Sequence, residues 1–438
     1  MPVLSDSFLS FLCTNVPALG RRFGDPFIIH HGPEIRERVR MTNAAFSQEG
    51  LDFTELFAVK ANPRLQICEG FICSEGAGTD CSSEAELMFS QEIGVPPERI
   101  MLSANNVPQK LYRLAQLIGC HINLDDLTCV RKVPDPFPAT ICCRLNPGKV
   151  LLPGEETGQI EFSKEGAKFG MSPEDLMEAW RIAIEERKAE AIGIHSMVLS
   201  NNLDHRKAVP VIQMEFDLLS EGVQKFGVPG AYVNIGGGLG IPYRPGDPDY
   251  DVPALARECA RIAAGFEKKH GYKPKIYMES GRFMTGPSGV LVNRIENVYT
   301  KYGRRFLGVP IAMHAVPRVM LYPGEAYHHH IILGPDGAIK GGPLDRVSIV
   351  GRACEDNDRL CTDEPLPHAE EGDYVLTCSA GAHCVDQGSD YNWQLKPQEL
   401  LIRDHGTVRR ICLPQTYEGL TARQRDLGGS EHALYLGR

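Results

Sequence analysis

The chain has 438 residues, more than one ordinary hydrophobic core absorbs, so two domains are expected. Its 23% charged and 42% hydrophobic residues describe a soluble globular protein, not a disordered or collagen-like one. A net charge of −10 argues against a nucleic-acid or anionic-membrane surface, and no stretch reaches the length of a transmembrane helix. The first twenty residues lack a basic segment and a continuous apolar run, so no signal peptide is expected. The 14 cysteines contain no CxxC pair. They are read as reduced, mostly buried thiols of a cytoplasmic protein.

From residue 51 onward, strand-like and helix-like segments alternate. Strands are expected at 56–60, 78–80, 99–104, 121–124, 140–145, 191–195, 231–235 and 275–278. Helices are expected at about 64–75, from a capping box of Ser83 and Glu86 to about residue 92, at 108–118, from Ser172-Pro173, at 205–226 and at 251–270. Eight such units close into a (β/α)8 barrel, with a doubly wound open sheet as the competing arrangement. After Arg282 the rhythm changes to strands and turns, at 306–313, 328–333, 346–350, 373–378 and 408–413. The expected organisation is an α/β barrel over 31–290 and an all-β, sandwich- or barrel-like domain over 291–438, joined by a strand from residues 1–30.

Chemistry in such a barrel sits at the carboxyl ends of the strands. Those ends carry Lys60, Asp80, Asp125, Arg144, His195, the turn Gly236-Gly237-Gly238-Leu239-Gly240, and Glu279. A lysine closing a buried strand suits an amine that holds an aldehyde cofactor as a Schiff base. The glycine turn fails the dinucleotide pattern, because Ile241 occupies its sixth position, but it can cradle a single phosphate. A tight turn with no ligand explains it about as well. The segment SKEGAKFG at 163–170 reads as a mobile loop. His328, His329 and His330 would alternate faces on one strand and cannot share an ion, so no metal is expected.

The motifs FAVKANP, GTDCSSEAEL, NIGGGLGIPY, ESGR and ACEDND follow one another between Phe57 and Asp358, within a resemblance that covers about residues 24–422. In this order and spacing the chain resembles the fold-III pyridoxal-phosphate decarboxylases, which include diaminopimelate, ornithine and arginine decarboxylases. It is most similar to the diaminopimelate branch. The resemblance implies a barrel of the alanine-racemase type with pyridoxal 5'-phosphate bound to Lys60 as an internal aldimine. Asp80 would lie among the cofactor contacts, His195 would stack on the ring, and Ser200 would meet the phosphate. Gly237, Gly238 and Gly240 would cradle that phosphate. Glu279 would face the pyridine nitrogen, and Arg282 would bind phosphate or substrate. Cys354 and Glu355 would be donated across a dimer interface, with Tyr391 also close to the cofactor and substrate. An obligate homodimer with two shared active sites follows.

The residue chemistry agrees with those roles. Loss of an α-carboxylate leaves a carbanion, and a ring nitrogen kept protonated by an anionic Glu279 deepens the sink that absorbs it. Lys60 and Cys354 are the candidate acids for reprotonating the product, and burial is expected to lower the lysine pKa. Glu279 argues against a racemase, which usually places arginine there. Arg318 and Tyr322, in HAVPRVMLYPGEAYHH, match residues that the diaminopimelate branch uses on a distal carboxylate. This implies meso-diaminopimelate as substrate, decarboxylated to L-lysine. The stretches HSMVLSNNLD, IAMHA and GAHCVDQGSDYNWQ depart from the branch and keep D-ornithine, D-lysine or a secondary-metabolite amino acid as the alternative.

Overall fold

A computed structural model describes residues 3–148 and 167–424. Eighteen strands organise it. The first, β1 (Phe27–His31), precedes the barrel. The barrel consists of β2 (Phe53–Ala58), β3 (Gly78–Cys81), β4 (Ile100–Ser103), β5 (His121–Leu124), β6 (Thr140–Leu145), β7 (Ala191–Ser196), β8 (Gly230–Asn234) and β9 (Lys275–Met278). All neighbours are parallel, and β2 pairs with β9 through Phe53 and Ile276 to close the ring. The open-sheet alternative is thereby excluded.

Strict alternation along the strands builds two cores. Leu56, Met101, Cys142, Tyr232 and Tyr277 form one small cluster. Their strand neighbours Phe57, Ile100, Leu102, Ile141, Cys143, Val233 and Ile276 belong to the large cluster that includes the helices. Among those helices are Pro173–Arg181, Val209–Phe226 and Val252–His270. Ser172 Oγ accepts from Asp175 N at 3.2 Å, and Asp251 Oδ1 accepts from Ala254 N at 2.8 Å, capping two of their starts. Ser83 also caps its helix, but Glu86 reaches back to Ser82 N (2.6 Å), one residue before the cap.

The remaining strands are β10 (Gly289–Arg294), β11 (Asn297–Lys301), β12 (Arg304–Gly308), β13 (His330–Leu333), β14 (Leu344–Val350), β15 (Arg359–Pro367), β16 (Tyr374–Thr377), β17 (Gln398–Ile402) and β18 (Val408–Cys412). They form a six-stranded sheet, β13-β16-β10-β1-β17-β18, and a four-stranded sheet, β11-β12-β14-β15. Strand β1 lies inside the larger sheet, antiparallel to β10 and parallel to β17. Its Ile28 joins the core beneath the smaller sheet. Phe27 and Ile29 face the opposite core, where Phe8, Leu12 and Val16 of the Asp6–Phe23 helix cover the sheet. The sequence reading assigned no element to that helix.

Local chemistry explains the shifted boundaries. The strand expected at 306–313 stops at Gly308, because Pro310 cannot donate to a ladder. The strand expected at 328–333 starts only at His330, so the three histidines do not share it. The expected strand 56–60 ends at Ala58, and Lys60 occupies the 3-10 turn Val59–Ala61. Half of the expected loop at 163–170 lies outside the described residues. Among the described residues no helix is long and apolar enough to cross a membrane.

Candidate active site

The turn after β2 aims Lys60 across the barrel mouth toward β3, where its Nζ donates to Asp80 Oδ2 at 3.3 Å. Asp80 is buried, and its Oδ1 has no hydrogen-bond partner. Burial pulls the Lys60 ammonium down. The Asp80, Glu279 and Glu86 carboxylates more than offset this and leave it above its ordinary value. The lowering expected for a buried lysine is therefore reversed, because three acids surround this one. Burial pushes the Asp80 carboxyl up and Glu279 adds to the rise, with Lys60 opposing.

Glu279 follows β9 and is held from three sides. His195 Nε2 lies 3.1 Å from Oε2, Asn234 Nδ2 donates to Oε1 at 2.6 Å, and Ser103 Oγ donates to the same oxygen at 2.9 Å. Asn123 Nδ2 meets His195 Nδ1 at 2.6 Å. An imidazole accepting from Asn123 at Nδ1 carries its proton on Nε2 and donates it to Glu279. Burial alone would raise the Glu279 carboxyl. The His195 contact, Lys60 and Asn234 instead hold it below the usual carboxylate range. Asp125 and Arg144, also at strand ends, pair with each other at 3.1 Å.

Above these groups lies a cavity of about 260 Å³ whose walls include Lys60, Ser200, Gly238, Glu279, Arg282 and Tyr322. The glycine turn packs too closely for side chains. A Cβ on Gly236, Gly237 or Gly238 would lie 2.0, 2.2 or 2.1 Å from a backbone carbonyl oxygen, and Gly238 has φ +86°. Gly237 N–H points at Met197 Sδ, 3.2 Å away. Gly240 N–H donates instead to Asn202 O, and Gly240 borders a different groove, beside Phe283. Of the expected phosphate contacts, Ser200, Gly238 and Arg282 line the cavity; Gly237 and Gly240 do not.

Arg282 donates to Tyr243 Oη at 2.6 Å. Arg318, buried on the short Arg318–Leu321 helix, lies over the same Tyr243 ring at 4.2 Å. The two expected arginines thus meet one tyrosine; Arg282 lines the cavity, whereas Arg318 does not and lies buried behind Tyr322, which does. His383 enters the cavity wall in a left-handed conformation (φ +54°), fixed by its N–H to Ala61 O at 2.9 Å. Burial, with Arg282, Lys60 and Arg318 nearby, holds its imidazole well below its ordinary pKa and therefore neutral. Sequence reading did not select His383, although it lies in the GAHCVDQGSDYNWQ stretch.

Cys354, Glu355 and Tyr391 come together, but not at this cavity. Tyr391 Oη donates to Glu355 Oε1 at 2.9 Å and lies 3.4 Å from Cys354 Sγ, while Cys354 N donates to Asn392 Oδ1 at 2.8 Å. The cluster is exposed on the β domain. Contacts with Tyr391 and then Asn392 hold the Cys354 thiol below its ordinary value.

An amine at the strand ends, a buried anion below it and a side-chain-free turn beside Ser200 and Arg282 fit an aldehyde-bearing phosphate ester. Residues 33–286 match the pyridoxal binding domain of the pyridoxal-dependent decarboxylases. The chain belongs to this family. It is 33% identical to protein TabA of Pseudomonas amygdali pv. tabaci over 96% of both chains. It is 30% identical to diaminopimelate decarboxylase of Thermoplasma acidophilum over 90% of this chain and 91% of the relative. The crystal structure of diaminopimelate decarboxylase from M. jannaschii with L-lysine superposes with a TM-score of 0.84 at 24% identity, covering 93% of this chain and 94% of that one. The decarboxylase fold thus extends through both the barrel and the β domain. Pyridoxal phosphate is its cofactor, and amino-acid decarboxylation is its reaction.

Proposed function

We propose that this decarboxylase converts meso-diaminopimelate to L-lysine and carbon dioxide, acting in the cytoplasm, where its 14 free cysteines stay reduced. The observation that carries the substrate is the pair of guanidiniums flanking Tyr243. Arg282 is suited to the cofactor phosphate, with Ser200 and Gly238. Arg318, beside Tyr322 of the cavity wall, is the guanidinium we assign to a second, distal carboxylate. A planar carboxylate takes two parallel N–H donors from a guanidinium, whereas an ammonium would be repelled.

Pyridoxal phosphate, when bound, supplies the sink for the electron pair left as the α-carboxylate departs. The protein supplies the rest. Lys60 Nζ would hold the cofactor's aldehyde carbon and, as a free amine, would move a proton at the substrate α-carbon. Asp80 Oδ2 orients that amine. Glu279 stays anionic under its contacts from His195, Asn234 and Ser103, and its charge would favour a proton on the ring nitrogen of the bound cofactor. His195 is positioned by Asn123 to present one face of its ring. Cys354, Glu355 and Tyr391, exposed in one chain, complete the site of a second copy, with Cys354 Sγ a second candidate donor to the product carbon.

A second reading, a D-configured diamino acid such as D-ornithine or D-lysine, rests on His383 and Gln387, which place the stretch that departs from the diaminopimelate branch in the cavity wall. Carbon dioxide release from purified holoenzyme given meso-diaminopimelate, D-lysine, D-ornithine and the L forms separates the two. Preferential turnover of meso-diaminopimelate, reduced by Arg318→Met mainly through KM, is expected. Rapid turnover of D-ornithine with none of meso-diaminopimelate rejects the first reading.

A further inference from the structure

Among the described residues, one cluster of metal-ligating side chains lies outside the Lys60 site. An imidazole nitrogen of His330, Cys361 Sγ and a Glu364 carboxylate oxygen fall within 4.8 Å of one another. We propose that these three residues form a structural zinc site that ties together the two sheets of the β domain. Strand β13, carrying His330, edges the six-stranded sheet, and β15, carrying Cys361 and Glu364, edges the four-stranded sheet. The two strands share no ladder, so an ion between them would be a direct cross-link.

The backbone is shaped to bring the donors together. Residues three apart on a regular strand point to opposite faces. Here Cys361 pairs with Ile349 and Glu364 with Val347, so three steps on β15 oppose two on β14. The extra residue is a bulge, and Asp363 takes φ +53° within it. Cys361 and Glu364 therefore both turn toward His330. The alternation that stops His328, His329 and His330 from sharing an ion does not apply, because the other two donors come from a second strand.

The ligands are also oriented. His330 is 2% exposed, and its Nδ1 lies 3.3 Å from Thr377 Oγ1. Its Nε2 makes no hydrogen bond; the Leu360 carbonyl lies near the ring but outside hydrogen-bond geometry. An imidazole held at Nδ1 with a bare Nε2 is what a zinc-bound histidine presents. Tyr327 Oη donates to Glu364 Oε1 at 2.5 Å, and the Cys361 thiol also contacts this carboxylate, a bond that an ion between them would replace. One nitrogen, one sulfur and one oxygen suit Zn²⁺, not Mg²⁺ or Ca²⁺, which take oxygen ligands. Tetrahedral zinc ligands at about 2.0–2.3 Å stand roughly 3.5 Å apart, so closure needs side-chain shifts on the order of 1 Å. Cys361 binds as thiolate and releases its proton to solvent, and water fills the fourth position.

The test is zinc content by mass spectrometry of holoenzyme purified with and without added Zn²⁺, followed by Co²⁺ exchange. The expected result is one Zn²⁺ per chain, with tetrahedral Co²⁺ bands at longer wavelengths than the cofactor absorbs. Cys361→Ser and Glu364→Gln should each weaken zinc binding by about 100-fold or more, beyond the loss typical of an outer-shell change. Cys354→Ser, which removes the exposed thiol, should retain the ion. Zinc below stoichiometry in the unaltered protein overturns the proposal, whatever the variants do. So does zinc that disappears with Cys354 and not with Cys361, which would mark an adventitious ion at the surface thiol only.

Discussion

Gly238 shows how narrowly the glycine turn proposed to hold the phosphate is specified. Its φ of +86° already favours glycine, and a Cβ would sit 2.1 Å from Leu199 O. The neighbour is backbone, so no rotamer change relieves the clash. Gly238→Ala must move the turn, at about 1–3 kcal/mol. The expected outcome is a roughly 10–100-fold weaker affinity for pyridoxal phosphate with secondary structure retained, measured by absorbance titration of cofactor-stripped protein. Unchanged affinity would remove Gly238 from the cofactor site. Lys60 was legible as a residue because an amine at a strand end is chemically conspicuous. Its raised pKa was not, since that depends on Asp80, Glu279 and Glu86, which the fold alone assembles. His383 was hidden for a related reason. Its place in the cavity comes from a left-handed turn and one hydrogen bond to Ala61, neither of which has a sequence period.

Between elements, the link of most consequence joins the turn after Lys60 to the β domain. Arg64 donates to Glu399 Oε1 on β17 at 2.7 Å and to Asp386 Oδ1 at 2.9 Å, and His30 on β1 lies 2.8 Å from the other Glu399 oxygen. Asp386 is thus engaged by Arg64. Burial would raise the Glu399 carboxyl, but His30 and Arg64 hold it down to about 2, against an ordinary 4.5. A depressed carboxylate contributes stability that is complete above its unfolded value and is lost as pH falls through 4.5 toward 2. Glu399→Gln should therefore cost about 3 kcal/mol near neutral pH. By urea unfolding, the gap from wild type should close below about pH 4.5; a gap that persists unchanged in acid would show that the ion pair is not its source. Sequence periodicity revealed the eight barrel strands because each is buried on both faces, between the barrel interior and the helices. It revealed the β domain poorly. Strand β15 contains Thr362-Asp363-Glu364-Pro365, which reads as a loop; as an edge strand it tolerates both the prolines and the charges.

At the scale of the molecule, the divided placement of the site residues is what the proposed shared-site dimer requires. Lys60 and Glu279 face the barrel cavity, while Cys354, Glu355 and Tyr391 form an exposed cluster that does not line it. Tyr391 of that cluster, with Trp393 and Leu395 close to it in sequence and Tyr417 packed on Trp393, exposes apolar surface, as an interface would. In a twofold dimer each chain would present its Cys354 cluster to the partner's Lys60 cavity, and the exchange would be reciprocal. This makes a prediction that a monomer cannot mimic. Lys60→Ala and Cys354→Ala homodimers should each be nearly inactive, by about 100-fold or more. Mixed in equal amounts and allowed to exchange subunits, half of the dimers become hybrids. Each hybrid holds one site lacking both groups and one intact site, so activity should recover to about a quarter of wild type. The measurement is carbon dioxide release before and after exchange, with dimer mass followed by light scattering. Exchange without recovery would mean that Cys354 serves the Lys60 of its own chain, and full activity in a monomeric variant would mean that no partner is needed.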